Sequence, residues 1–248
     1  MTKNANKILK NKRVIIFDLD GTLVNSLPDL TWSVNQMLIK LGRNPVDTDL
    51  ASTWIGDGVE ALVTRALAHD KNRETENLDP SYMEKALSIY VAYYRQEPCK
   101  NTFAYPGVID GLKTLKALGF GLALVTNKPS EFIRPILDKL KFFDNQGGEI
   151  FDIILGGDAL PQKKPDPAPL KHVCNQLHAK LSNCVMVGDS KNDILAAKNA
   201  GMNSIGVVYG YNYGESIENY KPDVICQSFE HIISILIPAY EAESHSIN

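Results

Sequence analysis

Val14-Ile15-Ile16-Phe17-Asp18-Leu19-Asp20-Gly21-Thr22-Leu23 is the stretch on which the reading of the fold turns. Four apolar residues run without alternation into an acid, as in a parallel strand covered on both faces. Similar short runs recur at Leu122-Ala123-Leu124-Val125, Ile153-Ile154-Leu155, Val185-Met186-Val187 and Ile205-Gly206-Val207-Val208. Helical patterns lie between the later runs, over 107–118, 130–140, 167–177 and 192–200. Strand alternating with helix predicts an α/β fold, a doubly wound parallel sheet of the Rossmann type.

One segment breaks the rhythm. Leu27, Leu30, Val34, Met37, Leu38 and Leu41 recur at three- and four-residue steps, which predicts a helix with one apolar stripe. Ser26-Leu27-Pro28-Asp29 reads as a capping box in front of it. Further helices are expected from Val59 to Ala68 and from Pro80 to Gln96. The predicted division is therefore an α/β core from 1–25 and 103–248, split by a small all-helical insertion at 26–102. The chain returns to the sheet near Tyr105-Pro106-Gly107, and the polar end at 241–248 is expected to fray.

Composition narrows the function classes. The 248 residues carry 26 Lys plus Arg against 29 Asp plus Glu, a formal charge of −3, with 44% hydrophobic residues. A slightly acidic chain with dispersed charge offers no basic field for a phosphodiester backbone, which argues against nucleic acid as a partner. No apolar run has the length of a membrane span, and the basic stretch from Met1 to Arg13 lacks the apolar core of a secretory signal. Cys99, Cys174, Cys184 and Cys226 show no metal-site spacing and read as isolated reduced thiols. A cytoplasmic protein free of membrane contact is expected.

The chemistry concentrates at strand ends. D-x-D-G-T at Asp18 to Thr22 would arise by chance about three times in a thousand chains of this length. Residues two apart on an extended segment project to one side, so Asp18 and Asp20 are expected to converge at the carboxyl end of the first strand. Two close carboxylates need a cation or a division of roles. Asp189 and Asp193, in Gly188-Asp189-Ser190-Lys191-Asn192-Asp193, complete an oxygen-rich set suited to a hard dication, with Mg²⁺ favoured. Asp193 alone reads equally as a complement to a helix N-terminus. Thr126-Asn127 and Lys164, at two further strand ends, supply donors and positive charge for phosphoryl oxygens.

On these motifs the chain resembles the haloacid dehalogenase superfamily. Asp18-Leu19-Asp20-Gly21-Thr22, Thr126-Asn127, Lys164-Pro165 and Gly188 to Asp193 match its four motifs in order, and the helical insertion looks like its small cap. Within it the chain is similar to the family of bacterial phosphoglycolate phosphatases. Trp54-Ile55-Gly56-Asp57-Gly58, Val125-Thr126-Asn127-Lys128-Pro129, Gly156-Gly157-Asp158 and Tyr209 to Glu215 carry that likeness. The polar loop at 144–149 is longer than the family usually has.

The resemblance implies a Mg²⁺-dependent phosphomonoesterase that cleaves 2-phosphoglycolate through an aspartyl-phosphate. Asp18 would be the nucleophile and Asp20 the acid and base, with Lys164 and Thr126 steadying the phosphoryl group. Asp18, the backbone carbonyl of Asp20 and Asp189 would hold the metal, with Asp193 touching it or one step removed. Thr22, Asn127, Gly56, Asp57 and Gly58 would meet the substrate, a small phosphate ester, in a monomer or homodimer. Gly56-Asp57-Gly58 reads either as a lid loop or as a helix-cap turn, and the tyrosines at 209–213 receive no role. Another small phosphate, phosphomutase chemistry or a phospho-accepting signalling domain are the rival readings. The second acid of D-x-D speaks against the last, because a signalling domain expels no alcohol.

Overall fold

The structure is a computed structural model that describes residues 5, 8–69 and 79–244. Its strands are β1 (Val14–Phe17), β2 (Val24–Asn25), β3 (Phe103–Ala104), β4 (Gly121–Val125), β5 (Ile153–Leu155), β6 (Cys184–Gly188), β7 (Asn203–Val207) and β8 (Val224–Cys226). Six of them form one parallel sheet in the order β5-β4-β1-β6-β7-β8, with β1 central.

Burial on both faces explains the unbroken apolar runs. Ile15 and Phe17, with Leu122, Leu124, Val185 and Val187, pack on one side. There they meet α5 (Val108–Ala117), α6 (Ile133–Lys139) and α9 (Phe229–Ser244). Val14, Ile16, Ala123, Val125 and Met186 point the other way, onto α7 (Ala168–Gln176) and α8 (Lys191–Ala200). β8 and α9 carry no recognisable sequence signal. The first is three residues long, and the apolar stretch of the second surrounds Pro238 without clear periodicity. Of the tail expected to fray, residues 241–244 continue α9, and 245–248 lie outside the described residues.

Between β2 and β3 the described residues form four helices, α1 (Leu27–Lys40), α2 (Thr48–Ser52), α3 (Val59–Ala68) and α4 (Pro80–Gln96). The α1 stripe of Leu30, Val34, Met37 and Leu38 meets Leu62, Val63, Ala66 and Leu67 of α3 and Ala86, Tyr90 and Tyr94 of α4. Each such side chain contributes about 1.5–3 kcal/mol on full burial, so these short helices are held by packing rather than by propensity. α2, absent from the sequence reading, is a single short helix capped by the Asp47 carboxylate, which accepts from Leu50 N–H at 2.7 Å.

Two sequence expectations are corrected. Ser26 precedes α1, but its side chain makes no cap hydrogen bond. Its hydroxyl donates instead to Asp20 Oδ1 at 2.5 Å. Asp29 is likewise diverted: its carboxylate accepts from the Asn101 and Thr102 N–H groups at 2.8–2.9 Å and from the Thr102 hydroxyl at 2.6 Å. These bonds tie the start of α1 to the returning chain beside the antiparallel β2–β3 pair. The cysteines are all free and buried, but Cys174 and Cys184 are not isolated. Their sulfurs lie 3.3 Å apart where α7 packs on β6. No helix among the described residues is long and apolar enough to cross a membrane.

Candidate active site

Sheet register builds the site. Phe17 stands level with Leu124 on one side and Val187 on the other, so Asp18, Thr126 and Asp189 leave the sheet close together. Asp18 N–H continues the ladder to the Val187 carbonyl at 3.0 Å, and Thr126 N–H to that of Leu155 at 3.0 Å. From β1 the chain builds outward to β5 and then, on the other flank, to β8. Ligands of open α/β sheets bind outside the strand ends at such a reversal.

Asp18, Asp189 and Asp193 form a buried cluster in which one oxygen from each lies within 4.8 Å of the others. Lys164 Nζ donates to Asp18 Oδ1 at 2.8 Å, to Asp193 Oδ1 at 2.7 Å and to the Val125 carbonyl at 2.6 Å, which occupies all three ammonium protons. Burial works to neutralise that ammonium, but Asp18 and Asp193 outweigh it and hold its pKa above the usual lysine range. Burial pushes the Asp18 carboxyl up to about 6 despite Lys164. Asp189 rises to about 8, through burial and then through Asp18 and Asp193.

Each carboxylate is also held in place. The Thr22 hydroxyl donates to Asp189 Oδ1 at 2.8 Å, and Tyr211 N–H donates to Oδ2 at 2.8 Å. Asp193 Oδ2 accepts from the Ser190 N–H and hydroxyl at 3.0 and 2.9 Å in a capping box for α8, while its Oδ1 stays on Lys164. Gly21 completes the packing: its φ of +89° and its closeness to Asp189 leave no place for a Cβ, which would run into that carboxylate. When all three acids are ionised they exceed the one ammonium by two negative charges in a buried site, a donor set that fits a small, hard divalent cation.

Asp18 and Asp20 line one pocket at the end of β1, and the charge of Asp20 is felt at Asp18, but Asp20 stands outside the three-carboxylate cluster. The Asp20 carboxylate pairs with Lys128 Nζ, 3.1 Å from both oxygens, and accepts from the Ser26 hydroxyl. Lys128 is 5% exposed, with its ammonium 4.9 Å from the Tyr94 ring centroid. In the sequence Lys128 stands within the Val125–Pro129 motif, where no role was assigned to it. Its local signal was a lysine two positions beyond the Thr126 strand end, a place that usually means solvent.

A pocket opens above the cluster. Asp18, Asp20, Thr126, Lys128 and Lys164 line its floor; Leu30, Ile55, Val59, Leu62, Tyr90 and Tyr94 line its helical side, together with Gly56 and Gly58. Asn127 also lines it, but its amide donates to the carbonyls of Gly56 and Lys164, both at 2.9 Å. Thr22 and Asp57 stay outside the lining. Thr22 is fully buried beneath it on Asp189. The Asp57 carboxylate turns to Arg65 and to Asn192 Nδ2, the latter at 2.7 Å. Burial raises the Asp57 pKa, but hydrogen bonds from Asn192, Arg65 and Tyr213 together outweigh it and hold the carboxyl below its usual range. Asn192, next to the motif acid Asp193, is a second residue to which the sequence reading gave no role.

Comparison with known proteins agrees with this geometry. Residues 15–207 match the family model described as haloacid dehalogenase-like hydrolase. A protein of Colwellia psychrerythraea named phosphoglycolate phosphatase is 46% identical over 225 residues, 91% of this chain and 97% of its own. One of Psychrobacter arcticus with the same name is 44% identical over 234 residues, 94% of this chain and 100% of its own. A crystal structure from Haemophilus somnus, described as a predicted phosphoglycolate phosphatase, superposes with a TM-score of 0.84 at 38% identity, covering 91% of this chain and 98% of that one. The sheet order, the four motif-bearing strand ends and these likenesses agree: the chain belongs to the haloacid dehalogenase-like hydrolase family.

Proposed function

We propose that this chain is a phosphomonoesterase that hydrolyses 2-phosphoglycolate to glycolate and phosphate through an aspartyl-phosphate. The observation that carries this reading is the separation of the two D-x-D carboxylates. On the same pocket floor Asp18 sits on Lys164 in the acidic cluster, whereas Asp20 sits on Lys128. One acid is thereby free to attack phosphorus while the other handles a proton.

In the first step an Asp18 oxygen forms a bond to phosphorus as the bond from phosphorus to the glycolate oxygen breaks. Asp20 gives its proton to that departing oxygen. Asp20 then takes a proton from water, whose oxygen attacks the aspartyl-phosphate and returns Asp18 as a carboxylate. Lys164 and Thr126 steady charge on the transferring oxygens. Mg²⁺ is the cation we propose for the acidic cluster, held by Asp18, Asp189, the Asp20 carbonyl and Asp193. When bound it would offset the negative charge of the phosphoryl group.

The pocket lining also supports a small acid as substrate. Its cations are Lys128 and Lys164, and its helical side is mostly aliphatic and aromatic. With two ammonium protons engaged by Asp20, Lys128 keeps a third for the glycolate carboxylate, two bonds from the oxygen that Asp20 protonates. The names of the Colwellia and Psychrobacter relatives support the same substrate. We read residues 26–102 as a cap over this pocket, with Gly56 and Gly58 contributing backbone N–H groups. We propose cytoplasmic action as a monomer or homodimer.

The test is kcat/KM with Mg²⁺ for 2-phosphoglycolate against about twenty metabolite phosphates, since discrimination is a ratio of those values. A clear preference for 2-phosphoglycolate is expected. Preference for a sugar phosphate, nucleotide or pyrophosphate would overturn the substrate, and no turnover of any phosphate would overturn the activity.

A further inference from the structure

The tyrosine-bearing segment from Tyr209 to Gly214 has a place in neither the sequence reading nor the chemistry above, yet it touches three parts of the site. Tyr211 N–H donates to Asp189 at 2.8 Å. Its hydroxyl accepts from the N–H groups of Ser26 and Leu27 at 2.9 and 3.1 Å and donates to Asn25 Oδ1 at 3.0 Å. A side chain from beyond β7 thus satisfies free N–H donors at the start of α1. Tyr213 reaches further. Its hydroxyl accepts from Asn192 Nδ2 at 2.8 Å and fills the space where a Cβ on Gly56 would stand.

Asn192 is the centre of this contact. Its amide also donates to the Gly56 carbonyl at 3.1 Å and to Asp57 Oδ1 at 2.7 Å. Lys163 Nζ donates to the Asp57 carbonyl at 2.8 Å. The Tyr213 ring lies between two cations, with Lys191 Nζ 4.2 Å and Arg65 Cζ 5.3 Å from its centroid. Asn212 and Tyr213 both adopt positive φ, 35° and 56°, a conformation that costs a bulky residue such as tyrosine free energy and persists where surrounding contacts over-determine it. Asn212 is held by the Lys191 N–H and by its own amide on the Glu215 carbonyl, and the Tyr213 contacts lead to the Gly56–Gly58 loop that lines the pocket.

We propose that the 209–214 segment and Asn192 form a clasp that holds the Gly56–Gly58 loop shut over the pocket, with Tyr213 and Asn192 as positioning residues. The inference rests on the reading of 26–102 as a cap, and it concerns closure rather than the identity of the substrate. Weakening the clasp lowers the fraction of molecules that are closed. The apparent affinity for substrate falls by that fraction, while a saturated enzyme keeps its turnover.

Hydrogen exchange of the substrate-free protein over residues 54–60 tests this, in Tyr213→Phe and Asn192→Ala, with residues 133–139 of α6 as the internal reference. Tyr213→Phe removes one oxygen and keeps the ring between its cations, so it is the variant least able to disturb folding. Exchange at 54–60 should rise about threefold in Tyr213→Phe, which removes the hydroxyl that bridges Asn192 and Asp57, and about tenfold or more in Asn192→Ala, which removes the amide's contacts with Gly56, Asp57 and Tyr213. KM for the best substrate of the panel should rise by similar factors, with kcat changed less than about threefold. Unchanged exchange at 54–60 would overturn the clasp, as would a rise shared equally by 133–139. If 2-phosphoglycolate is not hydrolysed, the proposed function fails, but the exchange experiment still decides the clasp because it contains no substrate.

Discussion

The floor and the helical side of the pocket are built on opposite principles. The floor is charged and closely paired: Lys164 spends its three protons on Asp18, Asp193 and the Val125 carbonyl, and Lys128 spends two on Asp20. The helical side offers Leu30, Ile55, Val59, Leu62, Tyr90 and Tyr94, and its polar groups face away, Asp57 toward Arg65 and Asn192. A floor of this kind fixes how a phosphoryl group is handled. A lid of this kind decides what enters and excludes water. On the proposed function, chemistry and selection would lie on separate parts of the chain, joined through the Gly56–Gly58 loop.

The largest effect that can break this division belongs to Asp20. Asp20→Asn should slow release of an alkyl alcohol in a single turnover by on the order of 10²–10⁴, the usual contribution of a general acid. With p-nitrophenyl phosphate, whose leaving group needs no proton, the same step should slow far less. A substitution that raised KM alone would place Asp20 with selection and dissolve the contrast.

A smaller effect sharpens it. Burial raises Asp18 to about 6 and Asp189 to about 8, above the ordinary carboxylate value of about 4. Groups shifted this way favour the folded chain fully below their unfolded value, and lose that contribution as pH rises through the folded values. The metal-free protein should therefore lose stability between about pH 4 and pH 8. Mg²⁺ at a hundredfold excess over its Kd should return about 2.7 kcal/mol, a rise in Tm on the order of 5–10 °C. That gain should grow across the same pH interval. A gain independent of pH, or none, would remove the cation from the floor.

Much of the floor was legible because its residues sit at strand ends, and strand ends are marked by the apolar runs before them. Val14 to Phe17 predicted β1, and the helices Val59–Ala68 and Pro80–Gln96 fall on the residues their periodicity predicted. What the sequence hid was the choice of partner. Lys128 and Asp20 are 108 positions apart, and the Tyr211 hydroxyl and Ser26 N–H are 185 apart. No local pattern encodes such pairings. Ser26 shows the cost of local reasoning: a serine in the right place for a capping box was drawn instead to a nearby carboxylate. Asp57 shows the same effect, since its place in a glycine-flanked loop suggested contact with substrate while Arg65 and Asn192 claimed its oxygens.

The central claim is that Asp18 carries the phosphoryl group. Acid-quenching the enzyme during turnover of its best substrate with Mg²⁺, then measuring peptide masses, tests it most directly. The peptide containing Asp18 should gain about 80 Da, the mass of one phosphoryl group, in an alkali-labile form. The gain should disappear in Asp18→Asn along with turnover. A phosphoryl group found on another residue, or an Asp18→Asn enzyme turning over at a near-normal rate, would contradict the account.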